Sequence, residues 1–170
     1  NNLISRNFVF ETGTLDSDQA GRKAKLLFFN PGVRKVICVA LDSAYAVIAL
    51  TDLSGTALIT KQINLLDKES DQSILDQVSH EIQAVITATA SSADIHLAGI
   101  AVAASGIVLN SAELLISTKL QWKSVDIKDI LEHRFKLPVF VQNNTRTKIM
   151  HQLQQHLEHD DDRVIFLDLE

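Results

Sequence analysis

Three strand-length apolar runs follow one another between residues 35 and 64, with no helical segment between them. The runs are KVICVALD, YAVIALTDLSG and TALITKQINL, and short polar or glycine-containing turns separate them. Strands joined by such short turns pair as antiparallel neighbours. The sequence therefore predicts an antiparallel meander, which an ordinary doubly wound sheet would not have at its start.

Helices and strands alternate after this meander. The segment SDQSILDQVSHEIQAVITATA places Ile74, Val78 and Ile82 on one helix face. IHLAGIAVAA follows as a buried strand, SVDIKDILEHRF as a short amphipathic helix and PVFV as a strand, and a further helix then leads to a strand that begins in RVIFLDLE. The order βββαβαβα, followed by β, predicts an α/β fold of the ribonuclease-H-like, or actin-like ATPase, class.

A β-hairpin is predicted before this fold. FVFETG and KAKLLFFN have strand composition, and TLDSDQAGR between them is polar. The cluster Asn30, Pro31 and Gly32 is the strongest chain breaker in the sequence. We expect a domain boundary there, with residues 1–32 in one unit and 33–170 in another. Because NNLISR resembles the last turn of a helix, we expect residue 1 to lie inside a structural unit that begins earlier.

Charge and cysteine content exclude several classes of protein. The net charge of −5 argues against a chain held on nucleic acid by a general basic field. The single cysteine, Cys38, lies in an apolar run and supports neither a disulfide framework nor a cysteine-rich zinc site. The longest apolar stretch, LAGIAVAASGIVL, is too short to span a bilayer. We expect a soluble, cytoplasmic protein with no membrane partner.

Two longer segments resemble one known family. GRKAKLLFFNPG, followed by a strand, resembles the wing and linker of xylose-repressor-type regulators in the ROK family, which is named for repressors, open reading frames and kinases that handle sugars. LAGIAV and then LQWKSVDIKDILEHRFKLPVFVQNN resemble the family's run from a sugar-side strand to its Glu-Asn-Asp sugar motif. The resemblance implies the end of a winged-helix DNA-binding domain in residues 1–32. It implies the N-terminal lobe of a sugar-binding domain, truncated before a second lobe, in residues 33–170.

The resemblance also implies a sugar site. Gln142, Asn143 and Asn144 stand where the family's kinases carry Glu, Asn and Asp, and that aspartate is the base that deprotonates the sugar. Ser105 and Gly106 stand where the family has a Pro-Gly-rich turn that lines the cleft. An amide keeps hydrogen-bonding groups but has no useful basicity near neutral pH, so this pattern suits a sensor. The alternative is that Asn143 simply caps the next helix, with Asn144 in its first turn.

The segment of this chain that aligns with the nucleotide site of the family's kinases departs further from the family's pattern. Those kinases have an Asp-x-Gly-Gly-Thr turn, whose glycines let the backbone approach the ATP phosphates. This chain reads ALDSAYA, so that Ala40 or Asp42 aligns with the aspartate and Ser43, Ala44 and Tyr45 would crowd a phosphate. We predict a lost nucleotide site and no enzymatic activity; the turn also reads as an ordinary β-turn.

Three weaker candidates have two interpretations each. HLEHDDD, with His156 and His159, offers metal ligands, although a solvated helix end explains it better. Trp122 is either an aromatic platform for a sugar or an anchor to the core. The basic residues of the hairpin either contact a DNA backbone or only increase solubility; they are Arg22, Lys23 and Lys25.

The combined prediction is a fragment of a sugar-responsive transcriptional regulator, a repressor, in which Asn144 replaces the catalytic base and no catalysis is expected. Its expected partners are a DNA operator in the intact protein, a sugar or sugar phosphate, and a second copy of itself. We expect no cofactor in this chain, because the resemblance places the family's zinc site in the other lobe. The alternatives are a sugar kinase of the ROK family and an actin-like interaction module without a ligand.

Overall fold

The structure is a computed structural model that describes residues 2–14, 25–65, 70–89, 95–109, 114–156 and 166–167. The first unit contains α1 (Asn2–Ser5), β1 (Val9–Thr14) and β2 (Lys25–Phe29), and a single 3-10 turn follows at Pro31–Val33. The remaining elements are β3 (Lys35–Leu41), β4 (Tyr45–Asp52), β5 (Ala57–Asn64), α2 (Asp71–Thr89), β6 (Leu97–Ala104), β7 (Ile107–Leu109), β8 (Leu114–Ser117), β9 (Trp122–Val125), α3 (Ile127–Phe135), β10 (Val139–Asn143) and α4 (Asn144–His156).

A five-stranded mixed sheet forms the centre of the molecule. Its strand order is β10-β6-β3-β4-β5, in which β3, β4 and β5 pair antiparallel and β6 runs parallel to both β3 and β10. The predicted meander and the ribonuclease-H-like order are therefore confirmed. The strand predicted in RVIFLDLE falls largely outside the described residues.

The core lies on one face of this sheet. Burial alternates along the central strands, so that Ile37 and Val39 are buried while Val36 and Cys38 are only half-buried. The apolar stripes of α2 and α3 pack against the buried face, because α2 contacts β4 and α3 contacts β10. The predicted helix face is confirmed by its buried residues Ile74, Val78, Ile82 and Val85.

A second, three-stranded antiparallel sheet was missed by the sequence analysis. It has the order β7-β8-β9 and follows the predicted strand IHLAGIAVAA. Its last strand includes Ser124 and Val125, which were predicted to begin the helix, so the helix starts later than predicted, at Ile127. Its strands contain only three or four residues. Runs this short do not develop the alternation by which a strand is recognised.

The predicted hairpin is present at the N-terminus. Val9 pairs with Phe29 and Phe10 with Phe28 in antiparallel register. The Phe10 and Phe28 rings stack with their centroids 6.3 Å apart, and both side chains remain about half exposed. The tip of the hairpin, including Arg22 and Lys23, lies outside the described residues.

Asn30 and Pro31 attach the hairpin to the central sheet. The Asn30 side chain donates to the carbonyl of Asn7 at 2.9 Å and accepts from the Gly32 N–H at 3.1 Å. The carbonyl of Pro31 accepts from the Leu53 N–H at 3.0 Å, just beyond the end of β4. The predicted breaker cluster is therefore an ordered connection to the β4–β5 turn, although the domain division itself stays a prediction.

Asp52 organises that β4–β5 turn. Its Oδ1 accepts from the Ser54 N–H at 2.9 Å, the Ser54 hydroxyl at 2.6 Å and the Thr56 N–H at 3.0 Å. The Ser54 hydroxyl, followed by the backbone N–H groups of Thr56 and Ser54 and the charge of Lys35, holds the pKa of Asp52 below its ordinary value of 3.8.

None of the helices in the described ranges is long and apolar enough to cross a membrane. The longest of them, α2, has 19 residues and carries charged and polar side chains along its exposed side.

We expect Asp52→Asn to destabilise the protein at neutral pH and to do so less as the pH falls. A carboxylate whose pKa is lowered by folding stabilises the native state above its unfolded pKa, and this contribution is lost as the pH falls through the folded pKa. Urea unfolding from pH 7 to pH 3 should show the two stability curves converging at the acid end. A difference that stays constant over this range would contradict the role given to Asp52.

Candidate ligand site at the strand ends

Three parallel strands end at the same edge of the central sheet. In the observed register Leu41 of β3 lies beside Ala104 of β6, which lies beside Asn143 of β10. The residues that follow these strand ends are therefore brought together, although they are far apart in the sequence. In open α/β sheets the carboxyl ends of parallel strands are the usual place for a ligand.

A cleft of about 380 Å³ opens at this edge. Four of the five predicted sugar-site residues line it: Ser105, Gly106, Asn143 and Asn144. The fifth, Gln142, is half-buried on β10, where its Oε1 accepts from the Asn143 N–H at 3.0 Å. The structure thus brings four predicted residues together, and their contact with a sugar stays a prediction.

The remaining lining residues were not found from the sequence. They are Ser117, Thr118, Lys119 and Thr145. Three of them lie at the end of β8 and in the turn to β9, the sheet that the sequence analysis missed. The signal that could have found Lys119 is its closeness in sequence to Trp122, the residue with two interpretations, in the run KLQW.

Asn143 holds two parts of the cleft in place. Its Oδ1 accepts from the Arg146 N–H at 3.0 Å, and this hydrogen bond caps the N-terminus of α4. Its Nδ2 donates to the carbonyl of Gly106 at 2.6 Å, across to the loop after β6. The capping interpretation is therefore correct, and the same side chain also fixes the opposite wall of the cleft.

Asn144 also connects the start of α4 to the loop after β6. Its Nδ2 donates to the Ser105 hydroxyl at 2.9 Å, and its Oδ1 accepts from the Thr145 N–H at 2.8 Å. Ser105 is buried, and its own N–H donates to the carbonyl of Leu41 at 3.1 Å. The amide nitrogen has a second hydrogen that a ligand hydroxyl can accept, but the side chain has no basic atom to remove a proton.

Gly106 allows the chain to turn closely over this wall. Its φ is +140°, and a Cβ at this position would lie 2.4 Å from the carbonyl oxygen of Ile116 and 2.9 Å from Cβ of Ser117. No other residue type fits both the conformation and the space. Of the two residues predicted to form this turn, Ser105 and Gly106, only Gly106 occupies a position that requires glycine.

The β3–β4 turn is tight and has no glycine. Asp42 N–H donates to the carbonyl of Tyr45 at 3.0 Å, and the Asp42 carboxylate accepts from the Ser43 N–H at 2.6 Å. Ser43 and Ala44 therefore form a two-residue connection between paired strands, which agrees with the β-turn interpretation. A phosphate at this turn would have to compete with the Asp42 carboxylate for the N–H and would be repelled by its charge.

Trp122 lies at the start of β9 and is only 4% exposed. An aromatic platform for a sugar needs an open ring face, so the anchoring interpretation describes this residue better. It lines a second cleft of about 690 Å³ together with Ser43, Leu65, Ser70, Asp71, Ile74, Lys119, Leu120, Gln121, Lys123 and Ser124. Lys119 is common to both clefts.

The other candidate residues do not assemble into a site. Lys25 forms an ion pair with Glu11 across the hairpin. Within the described ranges no group of three or more His, Cys, Asp or Glu side chains is arranged to hold a metal ion. The predicted metal candidate in HLEHDDD falls outside those ranges beyond His156.

Comparison with known proteins gives consistent matches. A sequence profile of the ROK family matches residues 36–169. The chain is 29% identical over 143 residues to the xylose repressor of Bacillus spizizenii, covering 84% of this chain and 36% of the repressor. It is 31% identical over 142 residues to a putative xylose repressor of Caldicellulosiruptor sp., covering 83% of this chain and 35% of that protein.

The fold also matches solved structures. The crystal structure of a ROK family transcriptional regulator, described as a homologue of the E. coli MLC protein, superposes with a TM-score of 0.73 at 24% identity. The match covers 89% of this chain and 38% of that regulator. The chain thus spans little more than a third of the length of the proteins it resembles.

Substitution of Gly106 by alanine should destabilise the protein by about 3 kcal/mol or more, because the new Cβ meets backbone atoms in a conformation that is strained for alanine. Gly55→Ala is the matched control, since Gly55 also has a positive φ, +85°, but an added Cβ would meet nothing within 4 Å. The control should cost roughly 1–2 kcal/mol. Equal losses for the two variants in urea unfolding would contradict the close approach described for Gly106.

Proposed function

Because this chain belongs to the ROK family, we propose that it is the sugar-sensing lobe of a transcriptional repressor. In this proposal residues 1–32 contain the wing of a winged-helix DNA-binding domain, and residues 33–170 form the N-terminal lobe of the sensor. The repressor binds an operator in the cytoplasm and responds to a sugar. The named relatives that support the proposal are xylose repressors.

The observation that carries the proposal is the pair of neutral amides in the smaller cleft. Asn143 and Asn144 both line it, and each bonds to the loop after β6. Amides and hydroxyls recognise the hydroxyl groups of a sugar, and neither can act as a general base near neutral pH. A cleft of this composition binds a carbohydrate without transforming it, which is the property that a sensor needs.

The position of the hairpin supports a link from this cleft to DNA. β3 begins next to the 3-10 turn that follows the hairpin and ends at the cleft edge. In the proposal Arg22, Lys23 and Lys25 contact the DNA backbone and position the module, while sequence is read elsewhere. The ion pair between Lys25 and Glu11 reduces the charge that Lys25 offers to a phosphate.

The test is sugar-dependent DNA binding by the protein at its natural length. Fluorescence anisotropy with DNA from upstream of its own gene should give specific binding, and the effector found in a sugar panel should change the affinity by roughly 5–150-fold. Asn144→Ala should keep DNA binding and lose the response. Gln62→Ala, an exposed amide on β5, should keep both. DNA binding that no carbohydrate alters would contradict the proposal.

The kinase alternative predicts a different outcome. We expect no ATP-dependent phosphorylation of any common hexose or pentose, either by the natural protein or by Asn144→Asp. The variant restores a carboxylate at the base position, but the β3–β4 turn still has Ser43 and Ala44 where a phosphate would need space. A coupled assay measures the product. Turnover by Asn144→Asp above the enzyme-free rate would show that the turn accepts a nucleotide.

A further inference from the structure

Asn30 is bonded to both of the segments that it joins. Toward the hairpin, its backbone N–H donates to the carbonyl of Phe8 at 2.8 Å, and its Nδ2 donates to the carbonyl of Asn7 at 2.9 Å. Toward β3, its Oδ1 accepts from the Gly32 N–H at 3.1 Å, in the 3-10 turn that follows. A single side chain therefore ties the hairpin to the start of the central sheet.

Gly32 is the residue of this junction whose backbone would otherwise rotate most freely, because it has no side chain. Both of its backbone polar groups are held by side chains, since the N–H donates to Asn30 and the carbonyl accepts from Nζ of Lys35 at 3.1 Å. A Cβ on Gly32 would lie 3.3 Å from Oδ1 of Asn30 and 3.7 Å from Nζ of Lys35. These two side chains therefore enclose the glycine and restrain its backbone.

Pro31 restrains the junction in two further ways. Its ring fixes its own φ and limits the preceding residue to extended conformations, and Asn30 has a φ of −99° and a ψ of 96°. The carbonyl of Pro31 accepts from the Leu53 N–H at 3.0 Å. Each residue from Asn30 to Gly32 is thus held by a ring or by hydrogen bonds.

The junction is attached to two neighbouring strands at the same end of the central sheet. β3 begins at Lys35, and Leu53 directly follows the end of β4. Lys35 and Asp52, the last residue of β4, are paired in the antiparallel register. Because hydrogen bonds from both strands reach the junction, it must follow any movement of this strand pair.

Hydrogen bonds from the smaller cleft reach the opposite end of β3. Leu41, the last residue of β3, accepts at its carbonyl from the Ser105 N–H at 3.1 Å. The Ser105 hydroxyl in turn accepts from Nδ2 of Asn144 at 2.9 Å. The contacts from the cleft to the hairpin are therefore continuous, and they run through the amide of Asn144, the loop after β6, β3 and the junction at Asn30.

From these observations we infer that Asn30 is a positioning residue that couples sugar binding to DNA binding. It holds the hairpin at a fixed angle to β3, so that a change at the cleft alters the fit of the hairpin to DNA. Asn30 does not line the cleft, and its loss should therefore uncouple the two binding events without removing either. This inference rests on the proposed function, because it names a residue through which the proposed sensor acts.

The test measures the two affinities and their coupling separately, with the protein at its natural length. Calorimetry without DNA gives the affinity for xylose, glucose, mannose and galactose, and fluorescence anisotropy with DNA from upstream of the gene gives the DNA affinity with and without each sugar. In Asn30→Ala we expect the sugar affinity to stay within about threefold and the DNA affinity within about fivefold, while the effect of the sugar on DNA affinity falls at least about fourfold.

A second variant and two controls accompany Asn30→Ala. Lys35→Met removes the other hold on the junction glycine and should reduce the sugar response in the same direction, and it decides the question if Asn30→Ala does not fold. Gln62→Ala and Lys61→Met are the matched controls, because Gln62 is an exposed amide on β5 and Lys61 forms its ion pair with α2. Both controls should keep the full response.

Three results would overturn the inference. A full sugar response in folded Asn30→Ala would overturn it and leave the proposed function intact. Loss of sugar affinity or of specific DNA affinity in that variant would also overturn it, because Asn30 would then support binding itself. A natural protein whose DNA affinity is changed by none of the four sugars would overturn the inference and count against the proposed sugar sensor together.

Discussion

The parallel pairing of β6 with β3 on one side and with β10 on the other is the constraint on which the rest of the structure depends. Gly99 makes this pairing close, because a Cβ there would lie 2.7 Å from the carbonyl oxygen of Pro138. The same carbonyl accepts from the Ile100 N–H at 2.9 Å. With that register fixed, the ends of the three strands coincide, and the polar residues that follow them form one cleft.

The long elements of the fold could be predicted from the sequence because each has a repeated pattern. The meander and α2 show clear apolar periodicity, and burial follows it in the structure. The sheet of β7, β8 and β9 could not be predicted, since its pairing is set by the turn at Gly106 and by contacts with the core. Trp122 and Val125 at its last strand are buried by that packing.

The candidate site could also be predicted only in part from the sequence. Asn143 and Asn144 follow a clear strand, so their place at a sheet edge could be inferred from the sequence, and the resemblance to a family added Ser105 and Gly106. The contribution of Lys119 needed the tertiary structure, because it reaches the cleft from the unpredicted sheet. Gln142 is adjacent to them in sequence, but its amide oxygen accepts from the backbone N–H of Asn143 and the residue does not line the cleft, so its contact with a ligand stays a prediction.

The run of β3 from the linker to the cleft has a mechanical consequence. An extended strand that is paired on both sides cannot lengthen or shorten appreciably. A movement of its Leu41 end would therefore tilt the strand and move its Lys35 end sideways. A seven-residue strand is roughly 23 Å long, and a tilt of about 10° would move its far end by about 4 Å. In the proposed sensor, a pivot of β3 at the cleft would therefore move the start of the linker by a distance close to the spacing between neighbouring strands.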